Sequence, residues 1–231
     1  MDIVLIPGAL ATSTFWFHQE QHFQRKIGVH HVPDLSGACI SRMAEQMIPS
    51  LPNKFSLVGF SLGGYIALEL MRHIPHQIEK LILINSGARP ISEKGITERE
   101  RSVELIKKGQ FDFLIRLIFK NSVHDKNKHA KILPHLQDMA HVVGAERYIN
   151  QLTAVLNKPD HSELLKKIQC PTLLIASRED KIMPTECSEH MAKHIKDSTL
   201  VYLENCGHVA PLEQPDMINR MMSSWLLDVP F

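Results

Sequence analysis

The chain has 231 residues, of which 44% are hydrophobic, and its 26 Lys and Arg residues against 25 Asp and Glu residues give a formal net charge of +1. This length is enough for one sizeable hydrophobic core, and no linker, repeat or low-complexity stretch divides it. Charges of both signs are interspersed, which excludes a basic stripe for nucleic acid and a polybasic membrane anchor. No stretch approaches the ~20 apolar residues of a membrane span. We therefore expect a small-molecule partner.

Short apolar runs alternate with helical patterns along most of the chain. Strands are predicted near residues 2–6, 29–32, 55–59, 80–85, 172–177 and 199–203. Helices are predicted near residues 14–26, 40–50, 62–74, 185–195 and 214–227. This alternation is typical of an α/β protein with a mostly parallel sheet and helices on both of its faces.

The strand signal disappears between Ser86 and Lys166. Glycine and proline divide this segment into predicted helices over Thr97–Lys108, Gln110–Asn121, Ala130–His141 and Ala145–Asn157. We expect most of its apolar residues to pack onto the core and the others to line an acyl pocket; they include Phe111, Phe113, Leu117, Ile118, Met139 and Val142.

The strongest chemical signal lies in residues 55–71, where an apolar strand leads through Gly59-Phe60-Ser61-Leu62-Gly63 into a helical pattern. This setting is typical of a nucleophile elbow, in which a serine projects from a strained strand-to-helix turn. Side chains at positions 59 and 63 would collide there, which explains both glycines. Because first-turn amides have no partner within a helix, the Leu62 N–H can point at a developing oxyanion.

Two later residues can complete such a site. A serine hydroxyl is a poor nucleophile until a base takes its proton. Asp180 stands at the C-terminal end of the strand at 172–177, and His208 lies in the loop between the strand at 199–203 and the last helix. An acid, a histidine and the serine therefore all follow predicted strands.

Ser61, Asp180 and His208 stand in the chain order of the α/β-hydrolase triad. The loops R-E-D-x-x-x-P and G-H-x-x-x-x-E-x-P closely resemble those of the α/β-hydrolase superfamily, and the resemblance covers nearly the whole chain. It implies that Ser61 is the nucleophile, that His208 is the general base and later general acid, and that Asp180 orients His208.

The resemblance also implies the architecture. We expect one α/β-hydrolase domain over 1–231, with a core at 1–85 and 167–231 and a helical cap insertion at 86–166. Compared with its relatives, the chain starts at their third strand and lacks the usual N-terminal antiparallel hairpin. The strand beginning at Asp2 should then lie at or near a sheet edge.

Two alternatives for the acid are weighed against Asp180. Some family members carry the acid after the preceding strand, but here that strand ends in Asn85, which cannot stabilise an imidazolium by its charge. Glu179 is adjacent to Asp180, but it reads as a solvated loop carboxylate. Asp180 is therefore the predicted acid.

The second oxyanion donor should come from the loop after the first strand, Pro7-Gly8-Ala9-Leu10. By position, the donor is the backbone amide of Ala9, with Leu10 next in line. Relatives usually carry His-Gly here, so Pro7 removes a histidine that commonly braces the loop.

The predicted substrate-binding residues stand beside the oxyanion, nucleophile and histidine positions: Leu10, Phe60 and Val209.

Neither the cysteines nor the histidines predict a metal or a cofactor. The cysteines lack C-x-x-C spacing and are interpreted as reduced thiols of a cytoplasmic protein: Cys39, Cys170, Cys187 and Cys206. Cys206 is close to His208 but is interpreted as a packing residue. His190 and His194 are spaced i,i+4, with Met191 where a zinc protease has its glutamate.

The apolar segment Ile3–Leu10 resembles the start of a secretory signal, but the chain has no positive region before it and Asp2 is acidic. The segment also contains Pro7-Gly8 and forms the first predicted strand. We therefore expect a cytoplasmic protein.

The predicted function is hydrolysis of a carboxylic ester in the broad sense of ester, lactone or thioester. The resemblance is to bacterial small-ester and enol-lactone hydrolases and to the pimeloyl-carrier methyl esterase group. A hydroxynitrile lyase-like or perhydrolase activity would use the same triad, and relatives with lyase chemistry usually carry a cap lysine near the nucleophile. Nothing in the sequence places Lys107, Lys108 or Lys120 there. A ligand-binding receptor with slow turnover is the alternative from another class.

Overall fold

A computed structural model describes residues 1–24, 27–32, 35–124 and 126–228, with the side chains of 126–131 outside the description. The strands in these ranges are β1 (Asp2–Ile6), β2 (Gly28–His31), β3 (Phe55–Phe60), β4 (Ile78–Ile84), β5 (Thr172–Ser177) and β6 (Ser198–Leu203). The α-helices are α1 (Phe17–Phe23), α2 (Ile40–Met47), α3 (Leu62–His73), α4 (Glu93–Lys107), α5 (Phe111–Ser122), α6 (Lys126–Leu156), α7 (Ser162–Leu165), α8 (Thr185–His194), α9 (Ala210–Glu213) and α10 (Pro215–Leu227).

The described strands form one sheet in the order β2-β1-β3-β4-β5-β6, and each neighbouring pair is parallel. The strand that begins at Asp2 therefore lies second from one edge, as expected. No antiparallel hairpin precedes or joins this sheet within the described ranges.

Two buried clusters cover the two faces of the sheet. Successive strand side chains point to opposite faces, so Ile3 and Leu5 of β1 belong to one cluster while Val4 and Ile6 belong to the other. The first cluster contains residues of α1, α5 and α10, and the second contains residues of α2, α3 and α8. The prediction of an α/β sheet with helices on both faces is confirmed.

The predicted strands and main helices occur close to their expected positions. The segment predicted as a helix over 14–26 begins as a 3-10 turn, Ser13–Trp16, and continues as α1; its residues 25 and 26 lie outside the described residues. Helices α7 and α9 were not predicted, because each has only four residues and shows no helical period.

The segment between β4 and β5 is helical, as predicted. Helix α4 begins earlier than expected because the Ser92 hydroxyl accepts a hydrogen bond from the Gly95 amide at 3.2 Å. Gly144 has φ of 78° and interrupts α6 between the two predicted helices. The division into a core and a cap at 86–166 stays a prediction.

Most apolar residues of this segment whose side chains are described are buried or pack against the core, as expected. Met139 is buried, and Phe111 and Ile118 pack against the core. The exceptions are three exposed residues: Phe113, Leu117 and Val142. The first two lie four residues apart on α5, on the helix face opposite its buried residues, so helical spacing separates them from the core.

Within the described residues, no helix combines the length and apolar character needed to cross a membrane.

A buried hydrogen bond between Glu69 and His161 ties α3 to the segment that precedes α7. The Nε2–H of His161 donates to Glu69 at 2.7 Å, and Arg72 donates to the other carboxylate oxygen at 2.7 Å. Burial opposes the charge on Glu69, but the bonds from Arg72 and His161 prevail and lower the pKa of the carboxyl. Burial lowers the pKa of His161 despite the bond to Glu69. Its Nδ1 is buried without a partner among the described residues, which fits a neutral ring.

This pair predicts a loss of stability on acidification. As the pH falls from 7 to 5, the histidine of the unfolded chain takes up a proton near pH ~6.5, whereas His161 resists protonation, so the free energy of unfolding falls. The contribution of Glu69 is lost only at lower pH, when its carboxylate is protonated. His161→Gln, whose amide can still donate to Glu69, should flatten the dependence between pH 7 and 5 in urea unfolding. His76→Gln, at an exposed histidine, is the control; equal slopes for His161→Gln and wild type would contradict the account.

Candidate active site

Ser61 lies at the turn between β3 and α3 with φ of 51° and ψ of −113°. A non-glycine residue in this conformation is strained, and the surrounding backbone must hold it. A Cβ at position 59 would lie 2.6 Å from the Gly63 carbonyl oxygen. A Cβ at position 63 would collide with the carbonyl oxygens of Ile6 and Pro7. The two glycines are therefore required by close backbone contacts on either side of the serine.

Ser61, His208 and Asp180 form one hydrogen-bonded chain. The Ser61 Oγ lies 3.0 Å from His208 Nε2, and His208 Nδ1 lies 2.7 Å from Asp180 Oδ2. A carboxylate can only accept, so Nδ1 carries the proton and Nε2 is left to accept from the serine hydroxyl. This arrangement can move a proton from Ser61 to His208 while Asp180 holds the ring.

The carboxylate of Asp180 is fixed from its other side. Its Oδ1 accepts hydrogen bonds from the amides of Ile182 and Met183 at 2.7 and 2.9 Å, and the side chain is fully buried. With both oxygens engaged, the carboxylate cannot rotate away from His208 without losing hydrogen bonds. Buried carboxylates with such partners are held in one orientation.

Glu179 occupies a different place from Asp180. Its Oε2 accepts the amide of Cys206 at 3.1 Å, so it binds the backbone of the loop that carries His208 instead of the imidazole. The interpretation of Glu179 as a solvated loop carboxylate missed this bond.

Asn85 has a structural role that the sequence analysis did not identify. It follows β4, is buried, and has φ of 45°. Its Nδ2 donates to the carbonyl oxygen of His208 at 2.7 Å and to the Ser177 hydroxyl at 2.9 Å, and its Oδ1 accepts the Ser177 amide at 2.8 Å. Asn85 therefore joins the ends of β4 and β5 to the histidine loop.

Glu213 supports the same loop from the C-terminal side. Its Oε2 accepts the amides of Gly207 and His124 at 3.1 and 2.9 Å. Glu213 is the glutamate of the G-H-x-x-x-x-E-x-P pattern, so the sequence held the signal for this residue, but the pattern alone did not show its partners.

The two predicted oxyanion donors differ from Leu10 in their hydrogen bonding. The Leu10 amide donates to the side chain of Gln151 at 3.0 Å, and Leu10 has φ of 59°. The amides of Ala9 and Leu62 have no acceptor within the described part of the chain. Ala9 and Leu62 thus keep N–H groups available for a ligand, whereas Leu10 does not.

The three predicted substrate-binding residues are buried in the cluster on one face of the sheet: Leu10, Phe60 and Val209. The Phe60 ring stacks on Phe15 with centroids 4.6 Å apart and lies 5.0 Å from the His208 ring. Phe60 therefore packs beside the imidazole. Contact of these residues with substrate stays a prediction.

Lyase chemistry in relatives uses a cap lysine near the nucleophile, so the positions of the lysines in the segment between β4 and β5 matter. Lys107, Lys108 and Lys120 are exposed. Lys158, which the sequence analysis did not single out, is buried with its Nζ 4.3 Å from the centre of the Tyr65 ring, and it donates to the Arg89 carbonyl oxygen. Burial lowers the pKa of Lys158 to about 8.

The described residues contain no group of three or more His, Cys, Asp or Glu side chains placed to hold a metal ion. The rings of His190 and His194 lie 4.4 Å apart, but His190 contacts Ser162 and His194 contacts the His190 carbonyl oxygen. None of the four cysteines forms a disulfide, and Cys206 is buried in the core.

The model of the alpha/beta hydrolase family matches residues 3–221, and the chain belongs to this family. Among curated relatives, a protein named as a carbamate hydrolase, RutD, from Serratia proteamaculans is 28% identical over 244 residues, covering 97% of this chain and 90% of that protein. A pimeloyl-[acyl-carrier protein] methyl ester esterase from Nitrosomonas europaea is 24% identical, covering 93% of this chain and 91% of that protein.

A solved structure of a thermophilic esterase from Thermogutta terrifontis has a TM-score of 0.87 and 24% identity, and covers 99% of this chain and 90% of that chain. This likeness shows the α/β-hydrolase fold. The named relatives are hydrolases, which supports hydrolytic activity for this chain.

The contacts of Asn85 predict a large effect for a small substitution. Asn85→Asp keeps the acceptor for the Ser177 amide. It replaces the Nδ2 donor with an oxygen that faces the carbonyl oxygens of Gly207 and His208. The free energy of unfolding should fall by about 3 kcal/mol at pH 8, and by less at pH 5, where a protonated carboxyl can donate again. Denaturant unfolding measures both values.

Asn205→Asp is the matched control, because Asn205 has φ of 53° but is exposed. It should change the stability by no more than about 0.5 kcal/mol. Equal stabilities for the two variants would show that the Asn85 amide does not hold the histidine loop.

Proposed function

We propose that this chain is a serine hydrolase that cleaves a carboxylic ester, lactone or thioester of a small molecule through an acyl-enzyme intermediate. The observation that carries the proposal is the hydrogen-bonded chain from Ser61 through His208 to Asp180, on a turn that strains the serine backbone. Hydrolytic relatives that span nearly the whole chain support it.

In the first step, the Ser61 Oγ attacks the substrate carbonyl carbon while His208 Nε2 takes the hydroxyl proton. Asp180 remains ionised and stabilises the imidazolium through Nδ1–H. The carbonyl oxygen becomes an oxyanion, and the amides of Ala9 and Leu62, which have no described acceptor, donate to it. Collapse of this intermediate expels the alcohol or thiol, which receives the proton from His208.

In the second step, water attacks the acyl group on Ser61 while His208 takes a proton from it. The same two amides stabilise the second oxyanion, and collapse releases the carboxylic acid and returns the proton to Ser61. Every proton transfer uses Nε2, so the hydrogen bond between Nδ1 and Asp180 persists through the cycle. The residues named here supply each group that the reaction requires.

The lyase and perhydrolase alternatives use the same triad, but the described contacts do not favour lyase chemistry. The three lysines weighed for that role are exposed, and the described contacts of Lys158 are with Tyr65 and Arg89 instead of Ser61 or His208. A slow-turnover receptor is distinguished by kinetics, since it would give one burst of product without steady turnover. The four cysteines form no disulfide, which supports a cytoplasmic location.

The proposed reaction and the names of the relatives together define a substrate panel: carboxylic esters graded by chain length, lactones, thioesters and carbamates. All four present a carbonyl carbon to Ser61 and develop an oxyanion during attack. The ranking by kcat/KM over the panel gives the substrate class, because this ratio reports binding of the transition state.

A fluorophosphonate should label wild type at Ser61 alone, as mapped by mass spectrometry, and Ser61→Ala should remove both labelling and ester turnover. Residual catalysis by the remaining groups, about 10³-fold over water in a protease precedent, would escape a routine assay.

Ser56→Ala is the matched control for this experiment. Ser56 lies on the same strand, and its hydroxyl is buried without a partner among the described residues. Its loss should leave labelling and turnover close to wild type. Turnover by Ser61→Ala at a rate near wild type would end the serine hydrolase proposal.

A further inference from the structure

Gln151 connects three distant parts of the chain. It lies on α6 beyond the interruption at Gly144 and is 1% exposed. Its Oε1 accepts the Leu10 amide at 3.0 Å, and its Nε2 donates to the Leu35 carbonyl oxygen at 2.6 Å. The partners precede Gln151 by 141 and 116 residues, so the side chain fixes two loops of the core to the helical segment.

The bond to Leu10 holds a strained residue. Leu10 has φ of 59°, a conformation that costs roughly 1–2 kcal/mol for a residue with a Cβ. Pro7, three residues earlier, has no N–H with which to anchor the loop. Without an acceptor for its amide, Leu10 could rotate to a negative φ. The peptide unit between Ala9 and Leu10 would rotate with it, and the neighbouring Ala9 amide would shift.

The same bond decides which amide is available to a ligand. The Leu10 N–H points to Gln151, whereas the Ala9 N–H has no acceptor among the described residues. An oxyanion donor is effective only when it is fixed in advance at the position where charge develops. The Ala9 N–H belongs to the adjacent 8–9 peptide unit, so the conformation held at Leu10 bears on the position of the oxyanion donor.

We propose that Gln151 is a positioning residue for the oxyanion hole: it holds Leu10 in its strained conformation and thereby keeps the Ala9 amide directed at the reacting carbonyl oxygen. The proposal rests on the proposed function, in which the Ala9 amide stabilises that oxygen. It adds that Gln151, on α6, affects the rate of the chemical step by holding the loop after β1 in place.

Asn150 provides a control at the adjacent position. Its Nδ2 donates to the Ser36 carbonyl oxygen at 3.1 Å, so it joins the same helix to the same core loop as the Nε2 of Gln151. Asn150 makes no described contact with residues 7–10 and is partly exposed. A loss caused by weaker attachment of the helix would therefore be seen with either residue, whereas a loss through Leu10 would be seen only with Gln151.

The experiment compares Gln151→Met, which preserves length and removes both hydrogen bonds, with Asn150→Leu. Both variants are assayed for kcat and KM with a short p-nitrophenyl ester, for the rate of fluorophosphonate labelling and for thermal unfolding. Gln151→Met should lower kcat about 10- to 100-fold with KM changed less than about threefold, because a transition-state contact is impaired. Labelling should slow in parallel, since the phosphoryl oxygen uses the same hole. Asn150→Leu should remain within about threefold of wild type in kcat.

Gln151→Glu tests the positioning role of Gln151 if Gln151→Met does not fold. When protonated, the new carboxyl can accept from Leu10 and donate to Leu35, as the amide does. When ionised, it has no proton to donate to the Leu35 carbonyl oxygen and is repelled by it, which displaces the side chain from its position between Leu35 and Leu10. The ratio of its kcat to that of wild type should therefore fall as the pH rises from 6 to 9.

Two results would overturn the proposal. One is a Gln151→Met enzyme that loses no more kcat than Asn150→Leu, or that loses activity only through KM or thermal stability. The other is a Gln151→Glu ratio that stays constant with pH. Failure of the proposed function itself is distinct, because wild type would then show no turnover that depends on Ser61.

Discussion

The close backbone contact at Gly63 is the constraint on which the rest of the site depends. A side chain at this position would collide with the carbonyl oxygens of Ile6 and Pro7, so only glycine lets the first turn of α3 approach the end of β1. This approach brings the Ser61 turn against the loop that carries Ala9, and the Leu62 amide in that turn has no acceptor among the described residues. The strain at Ser61 is offset by the buried strand and helix on either side of it.

The parallel order of the sheet brings the remaining groups to the same edge. The residues after β3, β4, β5 and β6 include Ser61, Asn85, Asp180 and His208 in turn. Because carboxyl ends of parallel strands meet at one edge, four segments far apart in sequence become neighbours. Asn85 donates a hydrogen bond to the histidine loop, Glu179 and Glu213 accept amides from it, and Gln151 accepts the Leu10 amide of the loop after β1.

Local pattern was sufficient for the sheet, the main helices and the residues that the structure brings together at Ser61, Asp180 and His208, because strand-to-helix glycines and loop motifs are local signals. The supporting bonds were not predicted. The sequence showed only that Asn85 cannot serve as the catalytic acid. It gave no signal for Gln151, because its partner Leu10 lies 141 residues away. Phe113 and Leu117 of α5 are exceptions to the expected packing, because the helical period places them away from the core.

The central claim is that Ser61 carries the acyl group during turnover. Rapid-quench mass spectrometry with a p-nitrophenyl ester tests it directly, because covalent catalysis predicts an acyl adduct on the peptide that contains Ser61 within the first turnover. The adduct should form together with a burst of p-nitrophenol and should decay as acid is released. Steady ester hydrolysis without an adduct at Ser61, under conditions where deacylation limits the rate, would contradict the account.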